Sequence, residues 1–240
     1  MPKSETPKSP PSTPTLDAQR AFLFEAFVRL IDDLEPRAIL DVGCGRGGLL
    51  AACRQRGIPA RGVEADAGRQ AACADLGLDV TLASASHLPL ADGTADWVVL
   101  RHMLHHMSDP APAVAEAWRV AKTGVVLAEP WTDDSIDSQR AMQRVDRLLR
   151  EFDRARGRIH GPNLAPGELV HMLPADAALE TRSFGRLTVL PSTELTALVQ
   201  QARGETEASA AQVRAAAELT RLATSASITL PGSIVVIARK

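Results

Sequence analysis

The sequence predicts an α/β fold: a doubly wound, mostly parallel sheet with helices on both faces. Two observations carry this prediction. Short apolar runs alternate with helical stretches through the first 130 residues, and a glycine-rich loop joins the first run to the helix after it. With 240 residues, 45% of them hydrophobic, the chain has enough apolar side chains for one core of ordinary size.

Residues 1–15 hold five prolines among Ser, Thr, Lys and Glu, so they have little apolar surface to bury and predict a flexible tail. From Leu16 the spacing turns helical, with Leu16, Leu23, Phe27, Leu30, Ile31 and Leu34 at steps of three, four and seven, until Pro36 closes the helix. Five apolar runs follow, Ala38–Val42, Ala60–Val63, Asp79–Ala83, Trp97–Leu100 and Val125–Ala128. Between them Gly47–Arg56, Ala67–Leu76 and Ala111–Ala121 carry Ala and Leu at helical spacing. Ser135–Arg156 reads as a long amphipathic helix with Met142, Val145, Leu149 and Phe152 on one side. Leu179–Leu190 and Ser233–Ala238 are expected as a final strand pair, separated by a helical stretch near 192–223.

Charge and composition narrow the chemistry. The formal net charge is −2, which speaks against nucleic acid or an anionic membrane as partner. Tyrosine is absent, so proton transfer falls to His, Asp, Glu, Lys or Cys. Cys44, Cys53 and Cys73 form no C-x-x-C pair and read as reduced thiols of a cytoplasmic protein. No apolar leader or bilayer-length run is expected.

The most specific segment is Ile39-Leu40-Asp41-Val42-Gly43-Cys44-Gly45-Arg46-Gly47-Gly48. Glycines there let the backbone turn sharply and approach a ligand at a helix N-terminus. Gly43-x-Gly45-x-x-Gly48 also fits a dinucleotide fingerprint, which keeps a nicotinamide oxidoreductase as a rival. Asp41 tips the balance: a carboxylate gains nothing beside a pyrophosphate but suits an ammonium or sulfonium ligand. Glu64, in Arg61-Gly62-Val63-Glu64-Ala65-Asp66, ends the second strand, where a carboxylate can accept both ribose hydroxyls. Leu82-Ala83-Ser84-Ala85-Ser86-His87 leaves strand three, and Asp92-Gly93-Thr94-Ala95-Asp96-Trp97 enters strand four.

From about Ala38 to Trp131, and weakly on to Lys240, these motifs resemble the class I S-adenosylmethionine (SAM)-dependent methyltransferases, in the type 11-like small-molecule branch. The resemblance implies a Rossmann-like sheet of seven strands with a C-terminal antiparallel strand. It also implies one domain over 16–240, with a helical cap from about 16–35 and 132–174. It implies SAM as cofactor and S-adenosylhomocysteine as product. Gly43 and Gly45 would contact the methionine portion, with Asp41 orienting the loop and the amino group and Glu64 on the ribose. The Ser84–Ala85 turn would face the adenine, and Cys44, Ala65 and Arg101 would complete the cofactor site. Ser84 stands where many relatives carry Asp, and the turn Lys122-Thr123-Gly124 is shorter than the usual Lys-Pro-Gly-Gly.

Strand four ends in Arg101-His102-Met103-Leu104-His105-His106-Met107, which places three of six histidines within five residues. Leu104-His105-His106-Met107 is similar to a stretch of natural-product O-methyltransferases in which a histidine acts as base, so His105 and His106 are the catalytic candidates. Glu129 would orient the histidine or bind a substrate hydroxyl, unless it is a solvated strand-end carboxylate. His102, Trp131 and His160 are the substrate-binding candidates. No metal is expected, because His102, His105 and His106 have neither a cysteine nor a tight carboxylate set nearby. The arginine-rich face of Ser135–Arg156 (Arg140, Arg144, Arg147, Arg150, Arg154) reads as solvated.

The expected activity is methyl transfer from SAM to an oxygen of a small metabolite or natural product, in a monomer or homodimer. Transfer to carbon, nitrogen or sulfur, a catalytically inactive SAM-binding partner protein and a nucleic-acid methyltransferase stay as alternatives.

Overall fold

The computed structural model describes residues 15–204, 207–225 and 227–240. The tail expected over 1–15 lies outside them except for Thr15, which opens the first helix. The elements are α1 (Thr15–Asp33), β1 (Ile39–Val42), α2 (Gly48–Gln55), β2 (Ala60–Glu64), α3 (Ala67–Asp75), β3 (Val80–Leu82), β4 (Ala95–Arg101), α4 (Ala111–Val120) and β5 (Ala121–Trp131). There follow α5 (Asp137–Ala155), α6 (Pro166–His171), β6 (Ala178–Phe184), α7 (Ser192–Arg203), α8 (Ala210–Ser225) and β7 (Gly232–Arg239). A single 3-10 turn, Leu104–His106, follows β4.

The seven strands form one sheet in the order β3-β2-β1-β4-β5-β7-β6. β1 to β5 run parallel, whereas β7 pairs antiparallel with both β5 and β6. The expected α/β architecture is therefore present, and its central strands are buried on both sides. Val98, Leu100, Val125 and Leu127 pack toward α4, which contributes Ala113, Val114, Ala117 and Val120. Their neighbours Trp97, Val99, Val126 and Ala128 face the opposite layer, with Phe27, Val28 and Ile31 of α1 and Leu49 and Ala52 of α2. Double-sided burial explains why these strands read as unbroken apolar runs rather than as an alternation. Each fully buried Leu or Val stabilises the sheet by about 1.5–3 kcal/mol.

Several boundaries differ from expectation. Lys122-Thr123-Gly124 is no turn: α4 ends at Val120 and β5 begins at Ala121, with a register shift against β4 at this point. The run Leu179–Leu190 holds a strand only to Phe184, and its last part makes an isolated bridge, Val189 to Thr229. The single helical stretch expected near 192–223 is two helices, α7 and α8. These pack on α5 through Leu195, Val199 and Leu219 against Val145, Leu148 and Phe152, so they belong to the cap. α1 divides its work: Phe27 to Ile31 cover the sheet, while Leu16 reaches the cap cluster. Glu194 of α7 fixes that reach by accepting the backbone N–H of Thr15 at 2.7 Å and of Leu16 at 2.9 Å.

Candidate active site

The carboxyl ends of β1, β2, β4 and β5 meet along one edge of the sheet, where ligands of open α/β sheets bind. On the β1–β2 side the backbone of the glycine loop is tied down first. Gly43 and Cys44 donate to the carbonyl of Val63, at 2.8 and 3.1 Å. The buried Glu64 carboxylate then accepts from the N–H of Gly45 at 2.8 Å and from Ala65 and Asp66 at 3.0 Å. A carboxylate has about four acceptor positions, and three are taken by the loop, so Glu64 keeps about one for a ribose hydroxyl. Gly43 sits at φ +70°, and a Cβ there would lie 3.1 Å from the Met103 side chain, so only glycine fits under this residue. Gly45 is also left-handed at φ +61°, but faces open space.

Asp41 is buried beneath the loop. Burial raises its carboxyl to about 7, an effect that the Arg101 guanidinium partly opposes and Glu64 reinforces. Arg101 is sandwiched against Phe24 and Phe27 of α1 at 5.1 and 5.4 Å, which places a fixed cation behind Asp41. This set suits SAM: a glycine loop with Gly45 facing open space, one remaining acceptor position at Glu64 and a buried acid beside the loop. The fit leaves Cys44 only a backbone role, since its sulfur packs with Leu50, Cys73, Leu78 and Val80. All three cysteines are buried and unpaired, and burial pushes the Cys44 and Cys53 thiols up, Cys53 to about 11.

On the β4–β5 side the construction depends on one residue. Glu129, fully buried on β5, accepts from the backbone N–H of Met103 at 3.1 Å and of Leu104 at 3.0 Å through Oε1. Its Oε2 accepts from Nδ1 of His105, which is itself buried. Glu129 is thus no solvated strand-end carboxylate but the group that fixes both the turn after β4 and the ring of His105. The chain turns there because His102 adopts φ +52°, an uncommon conformation for a residue with a side chain. Nε2 of His102 is buried without a hydrogen-bond partner. Burial, with help from Arg101, holds its pKa down at about 3, so the ring is neutral.

His102 and His105 line a cavity of about 280 Å³ between the sheet edge and the cap, together with His160, Gln143, Met142 and Leu149. His160 lies far along the chain, yet its ring centroid is 5.4 Å from that of His105 and 4.8 Å from that of His106. Asp153 of α5 holds Nδ1 of His160 at 2.6 Å, and the carbonyl of Ile159 accepts from Nδ1 of His106 at 3.3 Å.

The remaining sequence candidates are dispersed. Trp131 lines a neighbouring cavity of about 390 Å³ with Arg147 and Arg150, away from the histidines. Ser84 accepts from the N–H of Ser86 at 3.3 Å, closing the turn that also holds Ala85. The arginine face of α5 is not uniformly solvated, because Arg150 is largely buried, 3.3 Å from both Asp146 and the carbonyl of Gly161. Reading the sequence missed Asp153, Met103, Gln143 and Gln19. Of these only Gln19, a lone amide on the apolar side of α1, carried a signal: it is buried and donates to the carbonyl of Pro231 at 3.2 Å.

Comparison with known proteins agrees with this geometry. Residues 40–128 match the family described as a methyltransferase domain. Ajmaline N-methyltransferase of Rauvolfia serpentina is 29% identical over 168 residues, covering 60% of this chain and 56% of that protein. Ubiquinone biosynthesis O-methyltransferase of Methylococcus capsulatus is 35% identical over 105 residues, covering 41% and 44%. The chain spans about half the length of these curated relatives. Among solved structures, YcgJ of Bacillus subtilis superposes with a TM-score of 0.66 at 17% identity, over 90% of this chain and 98% of that one. The glycine loop under Met103 and these matches together identify residues 40–128 as a methyltransferase domain, set in a sheet of the same fold as that solved structure.

Proposed function

We propose that the protein transfers a methyl group from SAM to an oxygen of a small molecule, with His105 as the base and Glu129 as the residue that positions it. The observation that carries this reading is the buried Glu129–His105 pair, whose imidazole lines a cleft between the sheet edge and the cap. Bound SAM supplies an electrophilic methyl group on a sulfonium. The chain's own residues do the rest. Gly43, Gly45 and Glu64 hold the cofactor, and Asp41 faces its amino group. His102, neutral and with a free Nε2, hydrogen-bonds the acceptor. Glu129 accepts a hydrogen bond from Nδ1–H of His105, which keeps that proton on Nδ1 and leaves the lone pair on Nε2 to receive the proton of an acceptor hydroxyl. The cap helices α5 and α7 wall one side of the cleft through Met142, Leu149 and Leu198, which limits water beside the reacting atoms.

A cavity of about 280 Å³ lined by Leu16, Leu23, Met142 and Leu149 suits a compact, largely apolar acceptor. No described helix is long and apolar enough to cross a membrane. Buried, unpaired thiols accord with work in the cytoplasm.

The test is methyl transfer from labelled SAM to a panel of hydroxylated small molecules, with calorimetric SAM binding alongside. His105→Ala should lose at least about 100-fold in rate while binding SAM as before. Unchanged rates in both His105→Ala and His106→Ala would overturn the base assignment, and absence of saturable SAM binding would overturn the cofactor.

A further inference from the structure

The three histidines at the cap boundary share a feature that base chemistry at His105 does not require. One ring nitrogen from each of His105, His106 and His160 lies within 4.8 Å of the other two. Each ring is also anchored at Nδ1: His105 on Glu129, His160 on Asp153 and His106 on the carbonyl of Ile159. A carbonyl or carboxylate accepting at Nδ1 fixes the proton there and leaves a lone pair on Nε2. Imidazoles that bind metals are prepared in the same way. The two carboxylates are occupied in orienting the rings and offset part of the charge of a bound dication.

We infer that His105, His106 and His160 form a site for one divalent transition-metal ion of the zinc type. A metal–nitrogen distance of about 2.0–2.1 Å in tetrahedral geometry needs nitrogens roughly 3.3 Å apart. The nitrogens now lie within 4.8 Å of one another, so binding would draw them closer by up to about 1.5 Å. Imidazole donors without thiolate suit Zn²⁺, Co²⁺, Ni²⁺ or Cu²⁺ rather than Mg²⁺ or Ca²⁺. Three protein ligands leave a fourth position, and it opens where His105 and His160 line the acceptor cavity. The site differs from the His102, His105 and His106 set considered from the sequence. His160 replaces His102, whose Nε2 is outside the cluster and unpartnered. Asp153 and Glu129 supply the carboxylates that residues 102–106 lack. With Nε2 of His105 on the ion, that nitrogen no longer accepts a proton, so metal loading and base chemistry are alternative states of one cluster. The inference rests on the cluster alone and stands or falls independently of the methyl acceptor.

The test uses untagged full-length protein stripped with a chelator, then titrated with Zn²⁺ by calorimetry and with Co²⁺ by visible absorption, in the absence of SAM. One ion per chain is expected at a Kd of about 1 μM or tighter, with the intense visible bands of tetrahedral Co²⁺. His160→Ala and His106→Ala should each weaken binding by at least about 100-fold, and Zn²⁺ should raise the Tm of the parent but not of these variants. His87→Ala and His171→Ala, at histidines outside the cluster, should bind as the parent does. Thermal unfolding without metal shows whether each variant is folded. A parent Kd weaker than about 100 μM, or a folded His160→Ala variant that binds like the parent, overturns the site.

Discussion

The two halves of the ligand-binding edge are built by different means. The β1–β2 half is made of backbone: Gly43, Cys44, Gly45, Ala65 and Asp66 donate N–H groups to Val63 and Glu64, all within residues 43–66. The β4–β5 half is made of side chains from distant segments: His102 and His105 after β4, Glu129 from β5, Asp153 and His160 from the cap. The proposed function assigns cofactor recognition to the first half and acceptor recognition to the second. Substitutions can break the two halves separately.

The largest effect is expected from Glu129→Gln. The amide oxygen can still accept from Met103 and Leu104, so the turn after β4 is retained. Its NH₂ group, however, donates to Nδ1 of His105, which moves the imidazole proton to Nε2 and removes the acceptor of the hydroxyl proton. Transfer to an oxygen acceptor should fall by about 10²–10⁴-fold with SAM affinity unchanged within about twofold. Glu129→Ala should in addition lower the Tm, because it leaves buried N–H groups unpaired at about 1–3 kcal/mol. A Glu129→Gln variant with the parent's rate would mean that the side-chain half does no proton chemistry.

Next in size are the changes confined to the backbone half. Gly43→Ala places a Cβ 3.1 Å from Met103 at φ +70°, so the loop must shift. SAM binding should weaken by about 10-fold or more, and stability should fall by about 1 kcal/mol. Glu64→Gln keeps one acceptor oxygen for the loop but offers fewer to the ribose, and should weaken SAM by a similar factor. Calorimetry reads both without any acceptor present.

The same division explains what the sequence could reveal. The strand–helix alternation was legible because β4 and β5 bury both faces, so Trp97–Leu100 and Val125–Ala128 stand out as continuous apolar runs. The glycine loop and Glu64 were legible because their spacing is local. The strand start at Ala121 was not, since Lys122-Thr123-Gly124 looks like a turn and becomes strand through pairing with Ala95 and Trp97 of β4 and Arg239 of β7. The pairing of His160 with Asp153, and of both with His105, was equally hidden. It depends on α5 folding back over the sheet through Val145, Leu148 and Phe152, which periodicity marks as buried without saying against what.

A third test concerns the acid between the halves. The folded-state carboxyl of Asp41 titrates at about 7, above the value of 3.8 for an exposed aspartate, chiefly because it is buried. The native protein therefore binds more protons than the unfolded chain between about pH 4 and pH 7. Asp41 contributes stability that is complete below about pH 4, declines as pH rises through about 7 and stays lost above it. In ligand-free protein the Tm should fall by several degrees across this window, and Asp41→Asn should flatten that part of the profile. SAM, whose amino group prefers an ionised Asp41, should bind more tightly as pH rises toward 8. A Tm profile identical in parent and Asp41→Asn would remove Asp41 from the titration.

The smallest expected effect is at Trp131. It lies at the end of β5, two residues beyond Glu129, yet its cavity is the neighbouring one, lined with Arg147 and Arg150 rather than with histidine. The two cavities share Thr132, Gln143, Asp146 and Asn163, so an acceptor longer than the histidine cavity would extend toward the indole. Contacts so far from the reacting oxygen act equally in ground and transition state, and their loss raises KM while leaving kcat alone. Trp131→Ala should therefore raise KM by about 3–10-fold for an extended acceptor, leave KM unchanged for a compact one and alter kcat for neither. A loss of kcat with the compact acceptor would instead put the indole against the reacting centre. The acceptor half would then include the arginine cavity, and Arg147 and Arg150 would become candidates for holding an anionic group of the substrate.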